Sequence, residues 1–345
     1  MSSSNEAHTW WLSIAAGVVV VAGVQAAADI LAPLLLSLFI AMICWPLVDW
    51  LYQRKVPAWG AIAIVMLGLI VAMTLIGLFL GQSINHFIDN LPYYQSRLQA
   101  SLGVLVEWLQ RLGIDVSREE FEQTINAGRL MGFAGTLLTT LTNAFANTAL
   151  ILFYVTFMFM EAFILPAKLQ AAFSVSSRAF RFERFFANLR RYLRLKTLVS
   201  LATGAAVALW LTFLGVDYPI LWGSVAFVLN FIPNIGSFIA AIPGILLALV
   251  QLGPEGAFYT ALGYLVVNTV IGGLIDPRVV GSGLGLSTLV VFLSLIFWGW
   301  ILGPVGMFLS VPITVVGKML LEEHPQTRWI AALLGDGRSR TGLPD

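Results

Sequence analysis

The sequence predicts an all-α, polytopic membrane protein. We expect an inverted repeat of broken, re-entrant helices in the C-terminal half and a small helical extracytoplasmic segment. Apolar residues make up 59% of the chain and charged residues only 11%, whereas soluble domains are about half apolar and about a quarter charged. Several apolar runs reach the roughly 20 residues that a helix needs to cross about 30 Å of hydrocarbon. Prolines and glycines interrupt two long runs at matching places.

Composition excludes several classes of function. The formal net charge of +1 gives no basic excess for binding nucleic acid. The single cysteine, Cys44, leaves no partner within the chain for a disulfide or a cysteine-based zinc site. The histidines lie outside the apolar runs, and neither an HExxH nor a GxSxG motif occurs. We therefore expect no cofactor, no metal site and no enzymatic activity.

Apolar runs define the candidate membrane spans. They are 10–28, 30–51, 57–84, 133–163, 197–215, 257–275 and 288–318, with a further interrupted stretch at 219–252. The N-terminal helices occupy residues 1–84. Residues 26–28 resemble a signal-peptide cleavage site. No Lys or Arg precedes the first run, however, and the run is long, so we expect a retained first span.

Positive charge sets the predicted orientation, because short cytoplasmic loops are rich in Lys and Arg. Arg54 and Lys55 lie in one such loop, and segment 164–196 holds eight basic residues against one acid. Segment 85–132 holds four basic and six acidic residues and is predicted to lie outside. Both termini, including the tail 321–345, are then cytoplasmic, which fits a multi-pass protein of a bacterial inner membrane.

Segment 85–132 predicts a small helical hairpin. Tyr94 and leucines recur every three or four residues between Leu91 and Leu112, the pattern of an amphipathic helix with a narrow seam. Either the seam packs within the chain, or it meets neighbouring subunits. A second helix is expected from Ser117, where Glu120 completes a capping box.

Segment 164–196 predicts a basic amphipathic helix at the cytoplasmic face. Phe182, Phe185, Phe186, Leu189 and Leu193 share one helical face, and the arginines lie largely off it. Such a helix buries its rings at the membrane surface near anionic headgroups. It is either an interfacial anchor or a gating helix.

Residues 197–320 contain a hidden repeat, which we interpret as the transport core. The stretch FIPNIGSFIAAIPG at 231–244 matches ILGPVGMFLSVPIT at 301–314 in the order of its prolines and glycines. In each copy a full span precedes the interrupted segment. If both interrupted segments enter the bilayer and return, the two copies are inverted relative to each other. Alternatively, each segment crosses once.

The interruptions have a physical cost that points to function. An unsatisfied backbone group facing lipid costs several kcal/mol, so a broken helix persists only beside protein or a wet cavity. Paired interrupted helices are typical of secondary transporters with a site near the midplane. The alternative is a pair of kinks that serve packing only.

The candidate path residues follow from these interruptions. Asparagines in hydrocarbon need partners, so they face either solute or neighbouring backbone, and glycines permit close approach. Asp276 and Arg278 open a glycine-rich loop that we interpret as a connector or a cytoplasmic gate, because it lacks the context of a phosphate loop. The path residues are Asn230, Pro233, Asn234, Gly236, Ser237, Asn268, Asp276, Arg278, Gly303, Pro304 and Gly306.

Two stretches resemble the autoinducer-2 exporter family of bacterial membrane proteins. They are NFIPNIGSFIAAIP at 230–243 and IDPRVVGSGLGLSTLVVFLSLIFWGWILGPVGMFLSVPIT at 275–314, and the resemblance extends over essentially the whole chain. It implies export of autoinducer-2, a small polar signal in quorum sensing, across the bilayer from the cytoplasm. It also implies a homo-oligomer, a pentamer, with one pathway per subunit.

Three other functions remain open from the sequence. One is a sodium or other cation/proton antiporter on the same scaffold, with Asp276, Arg278 or Glu161 as titrating groups. Mid-membrane carboxylates are scarce, although pumps usually bury them there, and this favours a path lined by neutral groups. The others are an intramembrane enzyme, for which no motif is present, and a scaffold or permease regulator that transports nothing.

Overall fold

The computed structural model describes residues 15–111, 126–172, 177–233, 235–275, 285–323 and 326–335. In these ranges the chain is helical, and the extended backbone is limited to one isolated bridge between Leu286 and Gly335. The helices are α1 (Ala15–Ala26), α2 (Ala28–Gln53), α3 (Ala58–Asp89), α4 (Leu91–Arg111), α5 (Ala127–Ala146), α6 (Thr148–Ala172), α7 (Ser177–Leu214), α8 (Pro219–Leu229), α9 (Ile235–Val267), a π-helix (Asn268–Ile275), α10 (Thr288–Glu323) and α11 (Arg328–Leu334).

Six helical stretches among the described residues are long and apolar enough to cross a membrane. They are Ala28–Gln53, Ala58–Asp89, Thr148–Leu165, Ala187–Leu214, Ile235–Ile275 and Thr288–Glu322. Their outward-facing side chains are mostly large and apolar, as in α3, where Leu67, Leu75 and Leu78 are each more than 60% exposed. Exposed leucines on this scale are matched by lipid rather than by water. The predicted all-α, polytopic architecture is therefore confirmed.

The chain divides into two compact units. The larger unit comprises Leu47–Ala146 and Phe173–Gly283, and the smaller unit comprises Met1–Pro46, Asn147–Ala172 and Leu284–Asp345. The first interrupted copy of the repeat belongs to the larger unit, and the second interrupted segment belongs to the smaller one. The single transport core at 197–320 therefore stays a prediction.

In the larger unit, the seam of α4 is covered by the same chain. Tyr94, Leu98 and Leu102 are at most 5% exposed, and α4 packs on α5 and α9. Val106, at 1% exposure, continues the buried face where the leucine pattern pointed to Leu105. Of the two readings of this seam, packing within the chain is the one observed. Ser117 and the second helix expected there lie outside the described residues.

Two predicted helices differ from the observed ones. The single span expected at 133–163 is divided at Asn147, between α5 and α6. Only Thr148–Leu165 of this segment has membrane composition; α5 is less apolar, with threonines such as Thr139 and Thr142 that donate to carbonyls one turn earlier in their own helix. The amphipathic segment 164–196 is not a separate helix, because α7 runs without a break from Ser177 to Leu214.

On α7, part of the predicted apolar face is observed. Leu189 and Leu193 are 2% and 1% exposed. The side chains of Phe182, Phe185 and Phe186 lie outside the described residues.

Two glycines bend long helical stretches back on themselves. Gly253 within α9 has φ 76° and ψ −169°, and Gly303 within α10 has φ 65° and ψ −148°. Glycine adopts this left-handed backbone readily because it has no Cβ. A proline follows each glycine, and its fixed φ suits the first turn of the next helix. Each pair therefore ends one arm and begins another.

Candidate functional site

In the larger unit, the first interruption lies at the end of a short helical arm. The first hairpin comprises residues 219–233 and 235–252: α8 ends at Leu229, residues 230–233 turn, and the arm 235–252 follows. Gly236 is buried beside the end of the first arm. A Cβ there would overlap the carbonyl oxygen of Leu229 and lie 2.7 Å from its carbon. Only glycine permits so close an approach of the two arms.

The turn of the first hairpin is tied to α7. The Nδ2 of Asn230 donates a hydrogen bond of 3.0 Å to the Oγ of Ser200, which is fully buried. One turn after Ser200, α7 crosses α8 at Gly204 and Gly223. A Cβ on either glycine would lie 2.6 Å from the carbonyl oxygen of the other. The sequence reasoning left open whether Asn230 faces solute or protein; in this structure its amide bonds a neighbouring side chain.

In the smaller unit, α10 forms a second hairpin, residues 288–323, around Gly303. The indole Nε1 of Trp298 donates a hydrogen bond of 3.0 Å to the Oγ1 of Thr314, 16 residues further on. A continuous helix would separate these residues by about 24 Å along its axis. The two arms therefore lie side by side, and Pro304 begins the second arm.

The same glycine device recurs in the second hairpin. A Cβ on Gly306 would overlap the carbonyl oxygen of Trp298 and lie 2.8 Å from the Cβ of Leu302. Gly236 and Gly306 thus occupy equivalent places, each early in a second arm and each against the backbone of the first. Pro243 and Pro312, which the sequence paired as second interruptions, lie inside helical arms. A hydrophobic helix tolerates proline where the lost hydrogen bond faces packed protein.

Beyond the first hairpin, the turn at Gly253 brings a third arm, residues 254–267, against the arm 235–252. A Cβ on Gly244 would lie 2.8 Å from the hydroxyl of Tyr264. Both Tyr264 and Thr260 are almost fully buried, and neither hydroxyl has a hydrogen-bond partner among the described residues. Leaving such a group unsatisfied costs about 1–3 kcal/mol. The sequence analysis missed this pair, although the four-residue spacing of Thr260, Tyr264 and Asn268 was a visible signal.

Polar and aromatic contacts join three segments at the Gly253 end of this unit. The hydroxyl of Tyr94 donates to the Oδ2 of Asp217 at 3.3 Å, and Gln251 both donates to that carboxylate and accepts from the Asp217 amide. Phe87 stacks on Tyr94 at 5.6 Å and meets Trp222 edge-on at 5.2 Å. Burial raises the pKa of the Tyr94 phenol above its usual value, with Tyr218 and Asp217 acting in the same direction.

The remaining candidate residues are placed as follows. Asn268 is half-buried and begins the π-helix, a rare element that is frequent at functional sites. Pro233 and Ser237 are half-buried on either side of the first turn. Asn234, Asp276 and Arg278 lie outside the described residues.

Among the charged residues of the described ranges, Lys196 alone is buried, at 7% exposure. Glu161 pairs with Lys168 at 2.6 Å, and both side chains are more than half exposed. No group of three or more potential metal ligands occurs among the described residues. The described residues at the two interruptions, 230–233, 235–237 and 303–306, carry no formal charge.

Comparison with known proteins places the chain among membrane transport proteins. Residues 12–326 match the model of a family described as AI-2E family transporter. The chain is 43% identical over 321 residues to the AI-2 transport protein TqsA of Escherichia coli, covering 92% of this chain and 93% of that protein. It is 40% identical to a putative transport protein of Haemophilus influenzae over 97% of this chain and 99% of that one. The putative transport protein YhhT of Escherichia coli is also 40% identical, over 96% of each chain.

Proposed function

Because the chain belongs to the AI-2E transporter family, we propose that it exports autoinducer-2, a small polar signal molecule, along a path formed at its two interrupted helices. The chain is a multi-pass membrane transporter and not an enzyme. The proposed substrate rests on the similarity to a relative named for AI-2 transport. The proposed path rests on one structural observation: both interrupted segments fold back within membrane composition and pack a glycine against a carbonyl.

The position of the first turn supports a path that reaches deep into the bilayer. Asn230 bonds Ser200, which lies roughly 14 residues before Leu214 and therefore about 21 Å along α7. A hydrocarbon core is about 30 Å thick. If Leu214 marks one boundary, the first hairpin enters from that side and turns about two thirds of the way across. The sequence predicts a site near the midplane. We place the turn of the first hairpin beyond the midplane, toward the Lys196 end of α7.

The contacts at the other end support the proposed topology. Segments 85–132, 215–218 and 253–256 are all expected outside the membrane on the same face. In the structure Tyr94, Asp217 and Gln251 meet, and Trp108 lies 6.2 Å from Phe258. This grouping supports a location of the three segments on one side. The basic residues of α7 favour a cytoplasmic location for the opposite side, and we therefore propose that the three segments are periplasmic and that both termini are cytoplasmic in the inner membrane.

The inverted repeat and the oligomer remain parts of the proposal. The equivalent glycines of the two hairpins support a repeated unit, and inverted repeats underlie alternating access in many transporters. The homo-oligomer, a pentamer with one pathway per subunit, rests on the family resemblance.

The decisive experiment measures extracellular autoinducer-2 in a deletion strain that expresses this chain. We expect export to be restored by the native chain and abolished when residues 233–236 are replaced by four leucines, with membrane insertion retained. The matched control replaces residues 75–78, on the exposed face of α3, by four leucines and should export normally. Unchanged export in the 233–236 variant would refute the path.

Asn268→Leu provides a second test of the path. It should lower extracellular autoinducer-2 without loss of folded protein. If the native chain instead takes up or releases cations only under a pH gradient in vesicles, and moves no autoinducer-2, the antiporter function replaces the proposed one.

A further inference from the structure

Three polar side chains form a continuous line along the third arm of the larger unit. Thr260, Tyr264 and Asn268 follow one another at intervals of four residues, which places them on one face of a helix. Thr260 is fully buried, Tyr264 is 3% exposed, and Asn268 is half-buried. The line therefore passes from the packed interior to a more open position at the π-helix.

Thr260 departs from the behaviour of the other helical threonines. Thr156, Thr203 and Thr212 each donate a hydrogen bond of 2.8–3.0 Å to the carbonyl four residues earlier. That bond satisfies the hydroxyl inside its own helix. The Oγ1 of Thr260 makes no hydrogen bond to the described residues, so its donor and its acceptor are both available to another group.

Tyr264 presents a second available hydroxyl. Its phenol lies against the backbone at Gly244 on the facing arm, where a Cβ would lie 2.8 Å from the hydroxyl. Gly244 has no side chain that could pair with this hydroxyl, which is buried and has no hydrogen-bond partner among the described residues. One turn after Asn268, Gly272 is exposed and a Cβ there would meet nothing within 4 Å, so the line ends at an open surface of the helix.

The line carries no formal charge. Between Glu255 and Asp276 the sequence has no Asp, Glu, Lys, Arg or His. Neutral hydroxyl and amide groups both donate and accept hydrogen bonds, and they complement hydroxyl and carbonyl groups better than they complement an ion. A desolvated ion here would lack a counter-charge.

We propose that Thr260, Tyr264 and Asn268 form a polar track that binds a neutral, hydroxyl-bearing solute as it passes through the larger unit. The track deepens the proposed transport function, since it extends the path beyond the helix interruptions and names the groups that select the solute. Its position agrees with a path across the bilayer. Thr260 and Tyr264 lie about 10 and 16 Å along the helix from the Gly253 turn, so the track runs from the outer part of a hydrocarbon core about 30 Å thick to near its middle.

The first experiment tests whether the track is wet, whatever the solute. Cys44 is the single cysteine, so Cys44→Ala gives a background for Thr260→Cys. A small water-soluble methanethiosulfonate reacts with thiolate, which forms only where water reaches the sulfur. We expect Thr260→Cys to be modified at least tenfold faster than the control Val207→Cys, which replaces a buried apolar residue of α7. Equal rates at both positions would overturn the track.

The second experiment tests solute binding with autoinducer-2 in proteoliposomes. Thr260→Val and Tyr264→Phe should each raise KM about three- to tenfold, the usual weight of one neutral hydrogen bond, and leave kcat unchanged. Thr203→Val and Tyr259→Phe are matched controls, because Thr203 is satisfied within its helix and Tyr259 is half-exposed. Their KM should stay within twofold of the native value.

The outcomes separate the two proposals. Native transport with unchanged KM in both track variants overturns the track and leaves the proposed function standing. If kcat rises in the track variants, and their KM changes no more than the KM of the control variants, the hydroxyls have a structural role. That result also overturns the track. If the native chain moves no autoinducer-2 but Thr260→Cys reacts rapidly, the proposed substrate fails and the polar track is supported.

Discussion

Gly306→Ala tests whether the two arms of the second hairpin touch. A Cβ at this position would overlap the carbonyl oxygen of Trp298, and it would lie 2.7 Å from the carbonyl carbon. Real Cβ contacts stay beyond about 3 Å, so the arms must move apart by about 1 Å. The obstacle is backbone, and no change of side-chain rotamer relieves it.

The expected cost follows from this displacement. Overpacking a well-packed interior costs about 1–3 kcal/mol, and a backbone obstacle places Gly306→Ala near the upper limit. At about 2 °C per kcal/mol for a chain of this size, Tm falls by about 6 °C. Export should fall as well, because the displaced turn no longer presents the same backbone groups to the path.

The control lies in the same helix. A Cβ on Gly317 would meet nothing within 4 Å, so Gly317→Ala should be neutral or gain up to about 1 kcal/mol from helix propensity. Both variants are compared by thermal unfolding of the purified protein and by export from cells. Indistinguishable Tm and export in the two variants would refute the close approach of the arms.

Three further predictions follow from individual contacts. Trp298→Phe removes the bond to Thr314 and should cost about 0.5–1.5 kcal/mol; thermal unfolding that is unchanged argues against this contact. Lys318→Met removes the 2.6 Å bond from Nζ to the Gly285 carbonyl, so hydrogen exchange at the amides of residues 286–287 should accelerate at least tenfold, and unchanged exchange contradicts this role. Tyr94 has a raised pKa in the folded state, so its contribution is complete below about pH 10 and is lost as pH rises further. Native protein should therefore lose more Tm between pH 9 and 11 than Tyr94→Phe, and parallel pH profiles would exclude this origin.

Periodicity and composition were enough to predict most of the membrane helices. Membrane helices can be recognised in a sequence because a lipid-facing helix must be apolar over its whole length. Accordingly, α2, α3 and α10 begin and end near their predicted limits. The break at Asn147 was harder to predict, because α5 is apolar enough to resemble a span. Its threonines bond their own helix and hide their polarity from any count of apolar residues.

The interruptions were predictable in place but not in form. Proline and glycine at Pro233–Gly236 and at Pro304–Gly306 mark a break, yet the same residues suit a kink, a turn or a re-entrant loop. The second prolines, Pro243 and Pro312, looked equivalent and lie within helical arms. The prolines at the interruptions differ from these by their surroundings, which are a glycine at positive φ or a backbone carbonyl packed against a glycine. A local sequence motif specifies neither feature.

Contacts between distant segments were beyond reach of the sequence. The crossing of Gly204 with Gly223 and the bond from Asn230 to Ser200 join residues 19 to 30 positions apart. A single sequence gives the period of each helix but not the rotation at which two helices meet. The polar track was visible as spacing, but its importance depends on burial that only the packed arms create.

The contacts of Asp217 with Gln251 have a mechanical consequence. They join positions 34 residues apart, and the first hairpin lies almost wholly between them. Hydrogen bonds between Asp217 and Gln251 therefore hold the two ends of the hairpin together, and the Tyr94 hydroxyl bonds the same carboxylate. Because the turn is held as well, by the bond from Asn230 to Ser200, any displacement of the hairpin against α7 must first break that bond.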